Sequence, residues 1–497
     1  MFKRVLLVLL AVGLIVALTP PALGYIYERQ IRSEISAGVS NPAFTVEIVN
    51  YERGFYESQA SVRLAASEEY AERFRSLVDT ATSAGSSDPR SDAVIELLGK
   101  FFNGELSFDI DIQHGPLIIG DGIKFALATM VMQLDSSTGP LAELRAMTDA
   151  PYLLLTDGTV RFDGTMEFHT NVPPMIWQTD DGSDTRFSGF LANGTYDPDK
   201  RTLDTSGIIE TVEARFETGT LSASGIGIGI DAQRLGDYIW LGIHSFGVES
   251  MTYEPSGQYG AESFTANGVS FEMDTRANDG GEKVSMAMVY EIDEFKSPPE
   301  IALNDVQIAM KFADIDVDLI EGYTRLQHQL FLATPELMGQ LQPEIESLAI
   351  DALRTNPGFS VKPARFVLNG QHFEARVGLG FDGSALPPNL NLAMLSANPA
   401  FITGGLSARG NVETAEPLAR RMAKSFMRGE IMRTLPPESE ADYTEIEAVA
   451  TQQSSMMIDS LIMQGLIERH FGSLSTDFSF DNGVLLVNGQ PIPLGGT

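Results

Sequence analysis

The chain of 497 residues contains no cysteine, which excludes disulfide bonds, thiol nucleophiles and thiolate metal ligands. Basic residues are also few, since 34 Lys and Arg stand against 67 Asp and Glu and leave a formal net charge of -33. A charge of this sign repels nucleic-acid phosphates, so the sequence predicts no nucleic-acid partner. A chain of this length buries a large core without crosslinks, so the lack of cysteine does not argue against export.

Motifs of enzymatic or metal chemistry are missing as well. The six histidines form no His-x-x-x-His or His-Glu-x-x-His pattern, and there is no Gly-x-Ser-x-Gly elbow and no P-loop. Asp109 and Asp111 lie on one face of an alternating strand, which indicates a solvated face rather than an acid/base pair. We therefore expect no catalytic residue and no cofactor.

A calcium loop is the one metal motif that the sequence partly imitates. Asp314, Asp316 and Asp318 have the spacing that opens an EF-hand loop. The loop would need glycine at its sixth position and glutamate at its twelfth, where this chain has Leu319 and Arg325. Solvated acids at a strand end are the better interpretation, and we expect no metal site.

The N-terminus carries the chain's one long apolar run. Lys3 and Arg4 precede the uncharged stretch 5–27, which is long enough to span a bilayer as a tilted helix. The pattern predicts a signal anchor over residues 1–27, with the remainder of the chain translocated. A cleaved signal peptide is the alternative, because the small-x-small sequence at 22–24 suits a cleavage site.

In most of the remaining sequence, apolar and polar residues alternate with the period of β-strands. Apolar residues occupy every second position at 106–112, 160–168, 269–273 and 306–312. Twelve Asn-Gly or Asp-Gly pairs, six of each, favour short hairpins over parallel crossovers. The predicted fold class is α+β, with antiparallel β-rich meanders and amphipathic covering helices after one N-terminal transmembrane segment.

Helical periodicity returns in a few places and suggests a division of the chain. A helical pair is predicted over 67–103, inside a β-rich extracytoplasmic domain over 28–313. A second α+β half over 314–497 holds predicted helices at 315–355, 417–435 and 445–470. Asn-Pro corners at 41–42, 356–357 and 398–399 each precede an aromatic residue and are expected to start extended segments. We expect two related halves.

Four stretches carry a resemblance to a known family. They are the N-terminal run, the sequence Tyr51-x-Arg53-Gly54-Phe55-x-x-Ser58-x-Ala60, His114-Gly115-Pro116-Leu117, and the ending Leu486-Val487-Asn488-Gly489-Gln490-Pro491. With these the chain resembles the YdgA-like family of bacterial envelope proteins, although Phe55 and Tyr56 stand where that family often has Trp. The resemblance implies a single-pass protein of the bacterial inner membrane with its bulk in the periplasm, and it implies no catalytic residues.

Two stretches are candidate binding sites. The turn around Arg53, Phe55 and Tyr56 places an arginine beside two aromatic rings, although a structural turn with positive φ at Gly54 and rings packed on the sheet is the favoured interpretation. The helix predicted at 417–435 combines methionines with basic residues in an acidic protein, and the next helix is also rich in methionine. The candidate binding residues are Arg420, Arg421 and Lys424 on the first of these helices and Met456 and Met457 on the second. Pairing of these charges with the protein's own acids is the alternative.

These observations favour a protein that is not an enzyme. We expect a membrane-anchored periplasmic envelope protein that binds an apolar or lipid ligand or a protein partner. A structural or assembly role as a homodimer without ligand is the second hypothesis. A hydrolase that acts on envelope substrates through carboxylates is the third.

Overall fold

The fold was analysed in a computed structural model. It describes residues 44–73, 76 and 105–493, apart from short gaps at 121, 138–140, 143–144, 147, 179–182, 237–238, 258–261, 279, 298–300, 333–334, 399 and 435–442. The predicted anchor over 1–27 and most of the predicted helical pair over 67–103 lie outside these residues, although 68–73 are helical. None of the described helices has the length and hydropathy that a membrane crossing requires.

The chain divides into two compact units, Met1–His244 with Tyr323–Leu341 and Ser245–Gly322 with Gln342–Thr497. The predicted boundary at 313/314 falls inside the second unit, near the end of a strand. Whether two related halves exist stays a prediction. The predicted β-rich α+β class is confirmed, because antiparallel strands make up most of the described residues and a few helices accompany them.

The strands of the first unit form an antiparallel meander. They are β1 Phe44–Arg53, β2 Glu57–Ala66, β3 Glu105–His114, β4 Leu117–Gly120, β5 Gly122–Phe125, β6 Ala128–Leu134, β7 Leu155–Val160, β8 Met166–Val172, β9 Met175–Gln178, β10 Asp184–Phe187, β11 Phe190–Asp197, β12 Thr202–Phe216 and β13 Gly219–Arg234. The spatial order β1-β2-β3-β6-β7-β8-β11-β12-β13 follows the chain order. The short β9–β10 hairpin pairs with the later half of β12, and β4–β5 is a separate hairpin.

The first unit buries one face of its meander at β3, β6 and β7. Ile112, Ala128 and Val160 form a core cluster on β3, β6 and β7. On the opposite face Gln59 donates to Asp111 at 2.8 Å and Ser61 donates to Asp109 at 2.9 Å, all exposed. The prediction that Asp109 and Asp111 occupy a solvated face is confirmed.

The strands of the second unit also form an antiparallel meander. They are β15 Phe264–Ala277, β16 Lys283–Ser297, β17 Ile301–Asp316, β18 Gly358–Leu368, β19 Gln371–Phe381, β20 Leu406–Ala415, β21 Glu468–His470, β22 Ser473–Asp481, β23 Val484–Val487 and β24 Gln490–Ile492, while β14 Trp240–Pro255 crosses the division between the units. The order β15-β16-β17-β18-β19-β20-β22 again follows the chain. On the other edge of β22 lie β21 and the β23–β24 hairpin.

The described helices with assigned bounds are α1 Val317–Leu332, α2 Pro335–Arg354, α3 Leu392–Ala397, α4 Ala400–Gly405, α5 Glu416–Thr434 and α6 Tyr443–Met463. The predicted helices at 315–355 and 417–435 are confirmed as α1, α2 and α5. The helix predicted over 445–470 is too long, because α6 ends at Met463. Gly465 follows with φ 71° in a left-handed turn that ends the helix, and Glu468–His470 form β21.

Some of the corners and turns predicted from Asn-Pro and Asn-Gly pairs are present in the structure and others are not. Asn356 adopts φ 58° before β18, as expected of a corner. The third corner was predicted wrongly, because Asn398 caps α3 and the helix α4 follows it instead of a strand. Asn-Gly at 369–370, 482–483 and 488–489 forms hairpin turns with positive φ at both residues. Asn193-Gly194 and Asn267-Gly268 instead lie inside strands.

Candidate functional site

Alternate residues of the second unit form one continuous apolar face. The central row of register pairs is Met273, Met288, Met310, Val361, Val377, Gly410 and Phe478, from β15 to β22. A parallel row holds Phe271, Tyr290 and Ile308. At about 4.8 Å between strands, seven strands extend this face over roughly 29 Å. We call it the second-unit apolar face.

Over β15–β17 much of this face remains in contact with solvent. Met273, Met288 and Met310 are half-buried. Tyr290 and Ile308 are 41% and 38% exposed, and the ring centroids of Phe271 and Tyr290 lie 4.7 Å apart. Large exposed apolar patches on soluble proteins commonly mark binding sites, and methionine adapts to ligands of varied shape.

At its β22 end the same sheet is covered by α5 and α6. Ala423 of α5, Ile458 of α6 and Leu474 of β22 form a buried cluster, against which Met457 packs. Met456 points away and is 64% exposed. Of the two predicted binding methionines, one therefore belongs to the core and one to the surface.

The basic residues of α5 pair mainly with the protein's own acids. Arg420 binds both Glu416 and Asp459 at 2.8 Å, and these hydrogen bonds, the one to Asp459 first, raise the pKa of its guanidinium. Lys424 and Arg428 share Glu447, whose pKa they lower, Lys424 most. Arg421 is exposed. The alternative of internal charge pairing describes Arg420 and Lys424 better than a lipid-binding role does.

The turn around Arg53 belongs to a second exposed surface, in the first unit. The register brings the β1–β2 turn, the segment between β3 and β6, and the β7–β8 turn to one end of the sheet. Large apolar side chains are exposed there, and we call them the apolar tip: Phe55 49%, Tyr56 55%, Ile119 72%, Ile123 67%, Phe125 75% and Phe162 57%. The predicted binding residues Phe55 and Tyr56 are thus brought together with four residues that sequence patterns missed.

The local geometry corrects two details of this turn. Gly54 does not need positive φ; a Cβ there would lie 2.5 Å from the carbonyl oxygen of Glu57. The rings of Phe55 and Tyr56 contact each other with centroids 4.7 Å apart and are exposed, so they do not pack on the sheet as expected. Close backbone approach explains the glycine, and the exposed rings favour contact with a partner.

A buried polar pair lies directly beneath the apolar tip. The Ser58 hydroxyl and His114 Nε2 are 2.8 Å apart, and both residues are 2% exposed. Burial lowers the pKa of His114, which keeps the imidazole neutral near pH 7. The bond joins the two motifs around residues 51–60 and 114–117, which are far apart in sequence.

The three acids of the calcium-like motif lie at the β17–α1 junction of the second unit. A cleft of about 710 Å³ there is lined by Glu282, Asp316, Asp318, Asp351 and Arg354, among others. Lys283 pairs with Asp316 at 3.7 Å. Among the described residues no group of three or more acids or histidines is arranged to hold a metal ion.

Comparison with known proteins gives a family. Residues 1–495 match the family described as a bacterial protein of unknown function (DUF945). The chain belongs to this family. No curated protein and no solved structure matches it.

The second-unit apolar face was missed as a site by sequence reasoning. The alternation in 269–273 and 306–312 predicted strands with one apolar side, but it contained no information on which strands pair or what covers them. The signal that could have found it is the recurrence of methionine at 273, 286, 288 and 310 within segments of strand periodicity.

Proposed function

We propose that this protein is a non-enzymatic envelope protein that binds an acyl-chain lipid on the second-unit apolar face. The observation that carries the proposal is the half-exposed methionine row on β15–β17, which continues into a covered core toward β22. Flexible methionine side chains beside Phe271 and Tyr290 suit a long flexible hydrocarbon better than a rigid polar substrate.

The cellular setting of the proposal comes from the sequence. The uncharged run 5–27 would anchor the chain in the bacterial inner membrane as a single span, with the bulk in the periplasm. The resemblance to the YdgA-like family supports the same placement. The chain would then hold its apolar face in an aqueous compartment, where an apolar ligand gains most from being shielded.

The test compares two neighbouring positions on β16. Met288→Lys places a charge in the centre of the apolar row, whereas Val289→Lys places the same charge on the opposite face, beside Glu272. The full-length protein and both variants are purified in mild detergent, and their bound lipids are extracted and identified by mass spectrometry. We expect stoichiometric lipid with the wild type and Val289→Lys and a large loss with Met288→Lys. Equal lipid content in all three would contradict the proposal.

A second candidate function is assembly through the apolar tip. This candidate is supported by the exposed side chains at one end of the sheet, of which Phe125, Ile119 and Ile123 are the most exposed. Light scattering of the full chain and of an Ile119→Ser/Phe125→Ser variant tests this candidate. A homodimer that the double variant converts to monomers would support it, and identical masses would exclude the tip as the dimer contact.

A further inference from the structure

The polar face of the second-unit sheet contains a basic cleft. Its volume is about 500 Å³, and its lining includes Lys362, Arg376, Arg409, Asn411, Ser479 and Asp477. Gly378 pairs with Arg409, and Arg409 pairs with Ser479, so these residues face the same side of the sheet. Three cations in one cleft are unusual for a protein whose net charge is -33.

The cations of this cleft differ in their pairing. Arg376 binds Glu374 at 2.7 Å and remains 58% exposed. Lys362 and Arg409 are exposed, and within the part of the chain that the structure describes neither side chain makes an ion pair or hydrogen bond. Asp477 is the one acid in the lining, so the positive charge exceeds the negative charge.

A glycine lies under the cations of the cleft. Gly378 has no side chain, and a Cβ added there would lie 3.3 Å from the ammonium nitrogen of Lys362. The ammonium group therefore lies directly over the glycine, on the side of the sheet that its register partner Arg409 also faces. Glycine at this position lets the lysine head group approach the strand closely.

We infer that this cleft binds a phosphate group. Guanidinium groups bind phosphate oxygens with two parallel hydrogen bonds, and lysine adds a compact positive charge. Asn411 and Ser479 supply neutral donors, and Leu486 at the margin suits an organic phosphate. The phosphate belongs to a soluble phosphate ester or to a phospholipid headgroup. The site lies on the face opposite the proposed acyl-chain surface and is independent of it.

The experiment titrates the full-length protein in neutral detergent by calorimetry with inorganic phosphate, glycerol 3-phosphate and a short-chain phosphatidylglycerol. We expect binding that weakens about tenfold or more in Arg409→Gln and in Lys362→Gln, because each loses a charge-assisted contact. Gly378→Val should weaken binding with every charge retained, because its side chain would displace the Lys362 ammonium group. Arg276→Gln, which removes an exposed cation of the same sheet that pairs with Asp274, is the control and should bind normally.

The three ligands distinguish the source of the phosphate. Binding of inorganic phosphate or glycerol 3-phosphate identifies a soluble ester, and binding of the lipid alone, lost in Arg409→Gln, identifies a headgroup. The inference is overturned if no ligand binds, or if affinities are the same in wild type, Arg409→Gln and Gly378→Val. Lipid binding that only Met288→Lys removes would support the apolar face and contradict the phosphate cleft.

Discussion

The two faces of the second-unit sheet are built from adjacent residues of the same strands, yet they have opposite chemistry. On β16 Met288 faces Met273 and Met310, while its neighbour Val289 faces Glu272 and Ala309. On β19 Val377 continues the apolar row, while Gly378 lies under the Lys362 ammonium group of the basic cleft. Because side chains alternate strictly, one sheet presents two surfaces that would take two different ligands.

The two groups of basic residues, on α5 and in the basic cleft, also differ in how they are paired. On α5 the cations are dense in sequence, but Arg420 and Lys424 are held by neighbouring acids. Lys362 and Arg409 lie 47 residues apart in sequence and meet only because their strands flank β19. The cations that lie close together in the sequence, on α5, are therefore the ones already paired with acids and less available to a ligand.

The largest expected effect comes from placing a charge where the apolar side of the sheet is fully buried. Val284 is 1% exposed, so Val284→Asp should cost several kcal/mol, enough to unfold the second unit. Ser285→Asp at the next position points to the polar face beside Arg276 and should change stability by less than about 0.5 kcal/mol. Thermal unfolding followed by circular dichroism measures both, and similar losses would disprove the assignment of faces.

Two glycines provide a second comparison of the faces. In Gly410→Ala the new Cβ would lie 2.5 Å from the backbone oxygen of Arg376 and 2.7 Å from the ring of Phe478, so we expect a loss of about 1–3 kcal/mol. Gly378→Ala meets only the flexible end of Lys362 and should be nearly neutral for stability. Urea unfolding of the two variants checks this order, and a more damaging Gly378→Ala would contradict it.

A smaller, pH-dependent effect is expected from the buried pair of the first unit. Burial lowers the pKa of His114 below its ordinary 6.5, so the unfolded chain binds this proton more readily than the folded one. Stability should therefore fall as the pH drops below about 6.5. His114→Gln should flatten that part of the profile. Unfolding midpoints of the wild type and the variant between pH 7.5 and 5 test this, and parallel profiles for the two proteins would refute it.

The smallest effect is expected on α5 and α6. Glu447→Gln removes the shared partner of Lys424 and Arg428, an exposed network whose strength salt screens. We expect a slight loss of stability that disappears in high salt, measured as the difference in melting temperature from the wild type. A large loss that persists in salt would mean that these charges hold the helices together.

The sequence predicted the kinds of element better than their assembly. Period-two alternation located strands at 106–112, 269–273 and 306–312, but the run 160–168 was wrongly predicted as one strand, because β7 ends at Val160 and β8 begins at Met166. Turn chemistry located the hairpins at Asn369 and Asn482. Turn chemistry could not distinguish these turns from Asn193-Gly194, which has the same two residues but lies inside β11. Strand pairing overrides the local turn preference there. The apolar tip, the methionine row and the basic cleft all depend on register between distant strands, which no local pattern contains.

Photo-crosslinking tests most directly whether an acyl chain binds the second-unit apolar face. A fatty acid that carries a diazirine near the end of its chain is irradiated with the full-length protein, and the labelled peptides are mapped by mass spectrometry. We expect labels on the apolar side of β15–β17, at Met273, Met288 and Met310, and their loss in Met288→Lys but not in Val289→Lys. Labels confined to the apolar tip or to α6, or labels unchanged in Met288→Lys, would contradict it.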